Sequence, residues 1–329
     1  MKKTTILFYG LLVIMLSCDK PDEIPSPRNP VEIERDTLST GWSHQKITDQ
    51  LLLDIFFQDA LVGYTGGDTL YKTNNGGTTW IKFQESTGGI GNLFITPDGA
   101  LNSVNGAATH FTKFTNWGQN HTTIPLGGIS TYSGDLHFTS NNKGFLITDK
   151  AFFATTDGGI KWNLVNSTGL TFTIPAATSG LSFLDSATGW VFSGRNIYKT
   201  NGVSTDWISC KVSGSQTASF SAIQAISANV IYAGGYAGEI LKSSDGGNNF
   251  IEVAQLGTIS NERYTDIHFL DDLNGYACNN KRIYQTNDGG VTWNKVVGLV
   301  NSQIIEIHFI DANHGWACTV DGRVLRYVK

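Results

Sequence analysis

The sequence predicts an all-β fold, a seven-bladed β-propeller of four-stranded antiparallel blades closed by an N-terminal strand that completes the last blade. Three observations predict it. An eight-residue box recurs as TNNGGTTW at 73–80, TTDGGIKW at 155–162, SSDGGNNF at 243–250 and TNDGGVTW at 286–293. A second motif, Phe-x-Asp-x-x-x-Gly-aromatic, recurs at 183–190, 269–276 and 309–316, with looser copies at 56–64 and 138–145. Both return at a spacing near forty residues, the period of propeller blades.

Each part of the box has a mechanical task. The third-place Asn75, Asp157, Asp245 and Asp288 can accept backbone N–H groups and lock a turn. The following Gly pair permits positive φ in a tight hairpin. The closing Trp80, Trp162, Phe250 or Trp293 suits the start of an outer strand that packs between sheets. These acids are read as turn locks and not as catalysts or metal ligands. The second motif sets an apolar run, a turn and another apolar run in order, which is a hairpin signature. One unit therefore reads as four strands, with the box turn before the fourth.

Two registers count the blades. Phe57, Phe94, Phe138, Phe183, Ala225, Phe269 and Phe309 mark first strands at gaps of 37, 44, 45, 42, 44 and 40. Trp42, Trp80, Trp117, Trp162, Trp207, Phe250 and Trp293 mark fourth strands. Both give seven. The final unit, 309–329, has three strands and no box, whereas the segment around Trp42 is a fourth strand with no blade before it. Joining the two leaves no free edge between first and last blades. The propeller is expected to span 38–329 as one domain, because repeats share a continuous core. A low charged fraction of 16% and 37 glycines suit short strands and tight turns.

The first 17 residues read as a signal segment, with Lys2 and Lys3 before an apolar run at 6–16 that is short for a membrane span. The segment ends Met-Leu-Ser-Cys, which resembles a relaxed bacterial lipobox and implies lipidation of Cys18. Residues 18–37 are rich in Pro and charge and read as a flexible tether. The acidic stretch 19–23 resembles surface-export signals of Bacteroidota lipoproteins, so the expected address is the cell envelope, as an outer-membrane or cell-surface lipoprotein. Without residues 1–17 the chain keeps 28 acidic against 21 basic residues, a net charge of −7, which argues against nucleic acid as partner. Cys210, Cys278 and Cys318 are expected to be free, since Cys278 and Cys318 fill equivalent places in neighbouring blades, too far apart for a disulfide.

The box resembles that of the BNR/Asp-box proteins, which include sialidases. Their arginine triad and early Arg-Ile-Pro motif are not matched by the five arginines past the tether, Arg195, Arg263, Arg282, Arg323 and Arg326. No pair of facing carboxylates is evident, and most acids sit in repeated turns such as Asp185, Asp271 and Asp311. No Ser-His-Asp signature, phosphate loop or zinc spacing is present. His268 and His308 hold matching first-strand places, which favours a core or channel-lining role. No metal and no cofactor is expected.

The run FLDDLNGYACNNKRIYQTNDGGVTW at 269–293 resembles the photosystem II stability/assembly factor-like family of seven-bladed propellers. The resemblance covers nearly all of 40–329 and fades in the second unit, 93–117. It implies a protein-binding scaffold without catalysis. The expected function is a non-catalytic, envelope-anchored scaffold for a protein or glycan partner; the alternative is a diverged sialidase- or glycosidase-like hydrolase. Strand parity sets second–third turns and inter-blade connections on one face, opposite the boxes. That face is expected to carry Lys150, Arg195, Lys281, Arg282 and Arg323 around the channel mouth. The long connections 118–135 and 163–180 add His121, Tyr132 and Phe172 as partner-binding candidates.

Overall fold

A computed structural model describes residues 38, 40–85, 89–116, 120–127, 132–165, 169–172, 179–200, 206–214, 219–256, 265–297 and 302–329. The signal segment, Cys18, the tether, Trp117 and Arg263 lie outside these residues. Every element among the described residues is a strand, and no helix there is long and apolar enough to cross a membrane. The strands form seven sheets in ring order. Blade 1 comprises Leu52–Phe57, Gly63–Gly67, Thr69–Thr73 and Ile81–Glu85, counted outward from the channel. The innermost strands of blades 2 to 7 are Ile90–Ile95, Ser133–Phe138, Ser179–Phe183, Phe220–Ala225, Thr265–Phe269 and Ile304–Asp311.

Blade 7 closes as expected. Its outermost strand is the N-terminal Trp42–Lys46, antiparallel to Arg323–Val328, with Trp42 opposite Tyr327 and Lys46 opposite Arg323. Blade 5 departs from the four-strand pattern. Lys211–Ser213, in the connection from blade 4, pairs in parallel with the outer strand Asn249–Gln255 and covers that edge.

The boxes fold as the residue types require. Asp157 Oδ1 accepts the Lys161 N–H at 2.9 Å, and Asp288 Oδ1 accepts that of Thr292 at 2.9 Å. The opening hydroxyl of each box accepts the second glycine's N–H, as from Gly77 to Thr73 at 2.9 Å. Gly76 and Gly77 stand at φ +67° and +86°, a region closed to most side chains. Asn249, through its side-chain amide and backbone N–H, pulls the Asp245 carboxyl down to about 2. The Phe-x-Asp acids also lock turns: Asp185 Oδ1 accepts the N–H groups of Ala187 and Thr188 at 2.7 and 2.8 Å.

The same motif builds the seams between blades. A second-strand aromatic of one blade stacks on the first-strand Phe of the next, as Trp316 does on Phe57 with centroids 3.5 Å apart and Tyr276 on Phe309 at 3.6 Å. The fourth-strand aromatic then meets that Phe edge-on: Trp80 on Phe57, Trp207 on Phe183, Trp293 on Phe269. Trp42 takes this place against Phe309, at 6.0 Å and 74°. The motif glycine leaves room for the ring: a Cβ at Gly63 would stand 2.5 Å from Phe57. Polar bonds cross the seams too. The Gly76 carbonyl accepts Trp316 Nε1–H at 2.9 Å and Arg326 Nε–H at 2.7 Å, and Gly158 accepts Lys113 Nζ–H at 3.1 Å.

One register expectation is corrected. In blade 2 the residue paired as Phe57 is with Gly63 is Ile95, opposite Leu101, and not Phe94. Blade 2 already fills the seam with an aliphatic side chain, so Phe94 turns one residue earlier, to the channel side. Cys210, Cys278 and Cys318 are free and buried.

Candidate functional site

Antiparallel blades put the second–third turns on one face of the ring and the boxes on the other. Lys150, Arg195 and Lys281 lie in second–third turns, and Arg282 and Arg323 open the strands that follow them. None of the five lines the central channel. The charge there is mixed: Arg323 Nη1 contacts Asp321 Oδ2 at 2.5 Å, and Lys150 Nζ stands 3.8 Å from Asp149. Tyr132 joins this group, 57% exposed, its backbone bonded to Asp149. Two candidates fall elsewhere. His121 lies in the outer strand Asn120–Pro125 of blade 2, so much of the supposed 118–135 loop is sheet. Phe172 is partly buried and packs against the cluster of Phe145, Tyr198 and Trp207 between blades 3 and 4, which takes part of its ring out of water.

The channel itself holds what the sequence reading missed. It encloses about 520 Å³ and is walled by the innermost strands. Three residues before the seam position, toward the face of the second–third turns, stand Asp54, Asp135, Asp266 and Glu306. A β-bulge precedes this place in blades 1, 2, 3, 5 and 7, re-aiming the side chain that follows. These four acids line one channel, a grouping that the sequence reading did not pick out. Three of the acids bridge neighbouring blades: Asp54 accepts the Leu93 N–H at 2.6 Å, Asp135 that of Leu181 at 3.1 Å and Asp266 that of Ile307 at 2.9 Å.

One residue before the seam position lies a second tier. His308 Nε2 bonds the Phe57 carbonyl at 3.1 Å, Gln224 brackets the Phe269 backbone, and Ser182 accepts the Ala225 N–H. His268 and His308 face the channel, as their repeat places implied. The signal for both tiers was the offset from the seam residue, in Asp-Leu-His-Phe at 135–138, Asp-Ile-His-Phe at 266–269 and Glu-Ile-His-Phe at 306–309.

Burial dominates the protonation of these groups. It pushes Asp54 up to about 8, Asp266 up to about 7 and Asp135 up to about 6, against the backbone bonds that pull them down. Burial raises Glu306 too, and the nearby Asp266, Asp54 and Asp135 charges add to it. Burial lowers His137 and His268 to about 4 and, with the neighbouring His268, lowers His308 to about 3. A carboxyl raised in the folded state loses stability as pH climbs from the unfolded value through the folded one. The depressed imidazoles lose stability in the opposite sense, as pH drops below about 6.5. Between pH 6.5 and 8.5 only the carboxyls act, so Tm is expected to fall over that window, by on the order of 1–3 kcal/mol of stability. Asp54→Asn keeps an acceptor for Leu93 and is expected to flatten the fall. A Tm that rises from pH 6.5 to 8.5 in a thermal melt contradicts this.

The chain shares its fold with solved propellers. It is similar to YCF48 bound to D1 peptide, with 20% identity and a TM-score of 0.72 over 88% of this chain and 96% of that one. It is similar to YCF48 from Cyanidioschyzon merolae at 19% identity and a TM-score of 0.70, over 88% and 99%. Virginiamycin B lyase from Staphylococcus aureus, in selenomethionine form, matches at 12% identity and a TM-score of 0.73, again over 88% and 99%. At such identities the likeness is one of fold. No family model and no curated protein matches the sequence.

Proposed function

We propose that the chain is a non-catalytic propeller scaffold, anchored in the cell envelope through Cys18, that binds a polypeptide on the face of its second–third turns. One observation carries the non-catalytic part. Asp54, Asp135 and Asp266 each already hold a backbone N–H of the next blade, so they serve the ring's own bonding. Support for a polypeptide comes from the propeller YCF48 bound to D1 peptide. Arg195, Arg282 and Arg323 stand on separate blades of one face and would steer an acidic segment toward it.

Crosslinking pull-down from native membranes tests this. Reversing Arg195, Arg282 and Arg323 together to Glu is expected to lower recovery of the partner about tenfold and reduce its salt dependence, with stability changed by no more than about 1 kcal/mol. Cys18→Ser is expected to move the protein out of the membrane fraction. Unchanged capture by the triple variant sinks the face assignment, and capture of a glycan replaces the polypeptide. The four channel carboxyls favour one second reading, hydrolysis: turnover of aryl glycosides that Glu306→Gln abolishes would replace the scaffold with an enzyme.

A further inference from the structure

The channel wall is uneven. Going round the ring through blades 6, 7, 1, 2 and 3, the tier nearer the second–third turns presents Asp266, Glu306, Asp54, Asn92 and Asp135. Blades 4 and 5 set Gly180 and Ala222 at the same level. The same five blades supply the next tier with rings: His268, His308, Phe56, Phe94 and His137. These rings form one unbroken arc, with successive centroids 5.2, 4.5, 5.4 and 5.1 Å apart. An arc of oxygen acceptors therefore lies over an arc of aromatic faces and edges.

Two of the acceptors have no donor among the described residues. Glu306 is partly exposed and lines the channel, with three carboxyls as its charged neighbours and no donor among the described residues. The Asn92 side-chain oxygen is buried and likewise has no donor. A buried acceptor such as the Asn92 oxygen left unpaired is unfavourable, and like charges drawn together along a narrow channel repel one another. No lysine or arginine lines the channel among the described residues, which therefore supply no counter-charge there. Nor do three of the described acids, imidazoles or thiols converge as ligands of one metal ion. An organic cation that carries its own N–H donors would supply both the counter-charge and the hydrogen bonds.

We propose that this arc is a binding site for an organic cation of the guanidinium class, entering from the face of the second–third turns. A guanidinium is planar, always charged and carries five donors, enough for Glu306, Asn92 and a flanking carboxyl at once. Its flat face suits the aromatic tier below. The volume of about 520 Å³ lies within the range of small-molecule pockets. Burial now holds the carboxyls above their usual range, and a cation among them draws them back, so binding releases protons. The guanidinium is either that of a free small molecule or that of an arginine side chain on a polypeptide.

Isothermal titration calorimetry on the whole chain tests the site, with agmatine, acetyl-arginine amide and the neutral N-methylacetamide as probes. At pH 8 one or both guanidinium compounds are expected to bind at one site with proton release, and the neutral compound is not. Tighter binding of agmatine identifies a free ligand, and tighter binding of the amide an arginine side chain. Glu306→Gln is expected to weaken binding about tenfold or more, and Asn92→Asp, which adds a fifth carboxyl to the arc, to strengthen it. Affinity is expected to drop about tenfold at pH 5.5, where the arc takes up protons. Glu306→Gln removes a charge without a donor and should melt no lower than the parent, so its loss of binding reads as loss of the site. Equal binding by Glu306→Gln, weaker binding by a folded Asn92→Asp, or no heat from either guanidinium compound at pH 8 overturns the proposal.

Discussion

A chain lacking residues 38–47 is expected to lose its cooperative melting transition and to aggregate. The segment supplies the outermost strand of blade 7, from Trp42 opposite Tyr327 to Lys46 opposite Arg323. Trp42 is buried, meets Phe309 edge-on and lies 5.2 Å from Tyr327, so the deletion opens a seam as well as an edge. Arg323–Val328 would then present unpaired N–H and C=O groups to other molecules. The single change Trp42→Ala isolates the packing and is expected to remove about 3–5 kcal/mol. Size-exclusion chromatography with a thermal melt decides the matter. A truncated chain that elutes as a monomer and melts cooperatively at the parent temperature shows that closure does not depend on this strand.

Trp316→Ala is expected to destabilise by a similar 3–5 kcal/mol, and Trp316→Phe by about 1 kcal/mol more than any loss of ring area accounts for. The residue is wholly buried where blade 7 meets blade 1. Its ring lies parallel to Phe57, within 6°, and Trp80 meets that Phe edge-on at 88°. Its indole N–H donates to the Gly76 carbonyl, which Arg326 also holds. Alanine removes the stack and the bond together, whereas phenylalanine keeps a ring and leaves the bond out. Denaturant titration of both variants tests the division. Equal losses would assign the whole effect to the hydrogen bond, and no loss in either would remove the seam from the fold's stability.

Legibility in the sequence followed the range of the interactions. The boxes and the Phe-x-Asp turns bond within four residues, so the strings that encode them are contiguous and recur intact. The seven-fold count and the closing strand followed from those strings. Phe94 was misplaced because blade 2 uses Ile95 at the seam, and a lone aromatic next to an aliphatic does not reveal which of the two faces inward. Phe172 was assigned to the surface because loops carry no period, although the cluster between blades 3 and 4 takes up part of its ring. The added strand Lys211–Ser213 is three residues long and finds its partner across the box of another blade. The channel carboxyls form a group only when strands some forty residues apart close into a ring. Their common offset from the seam residue was visible, but nothing local marks that offset as pointing to the axis.

The pairing of Trp42 with Tyr327 also bears on biosynthesis. The first strand of the domain to leave a ribosome is the last to find its place, because 285 residues separate it from its partner. At translation rates of about 5–20 residues per second, that wait is roughly 15 to 60 s. Throughout it, Phe57 lacks the Trp316 ring that covers it, and an apolar flank of blade 1 stays open to solvent. The nascent ring is therefore most exposed to off-pathway association at its earliest-made end, where a holding chaperone has the longest time to act.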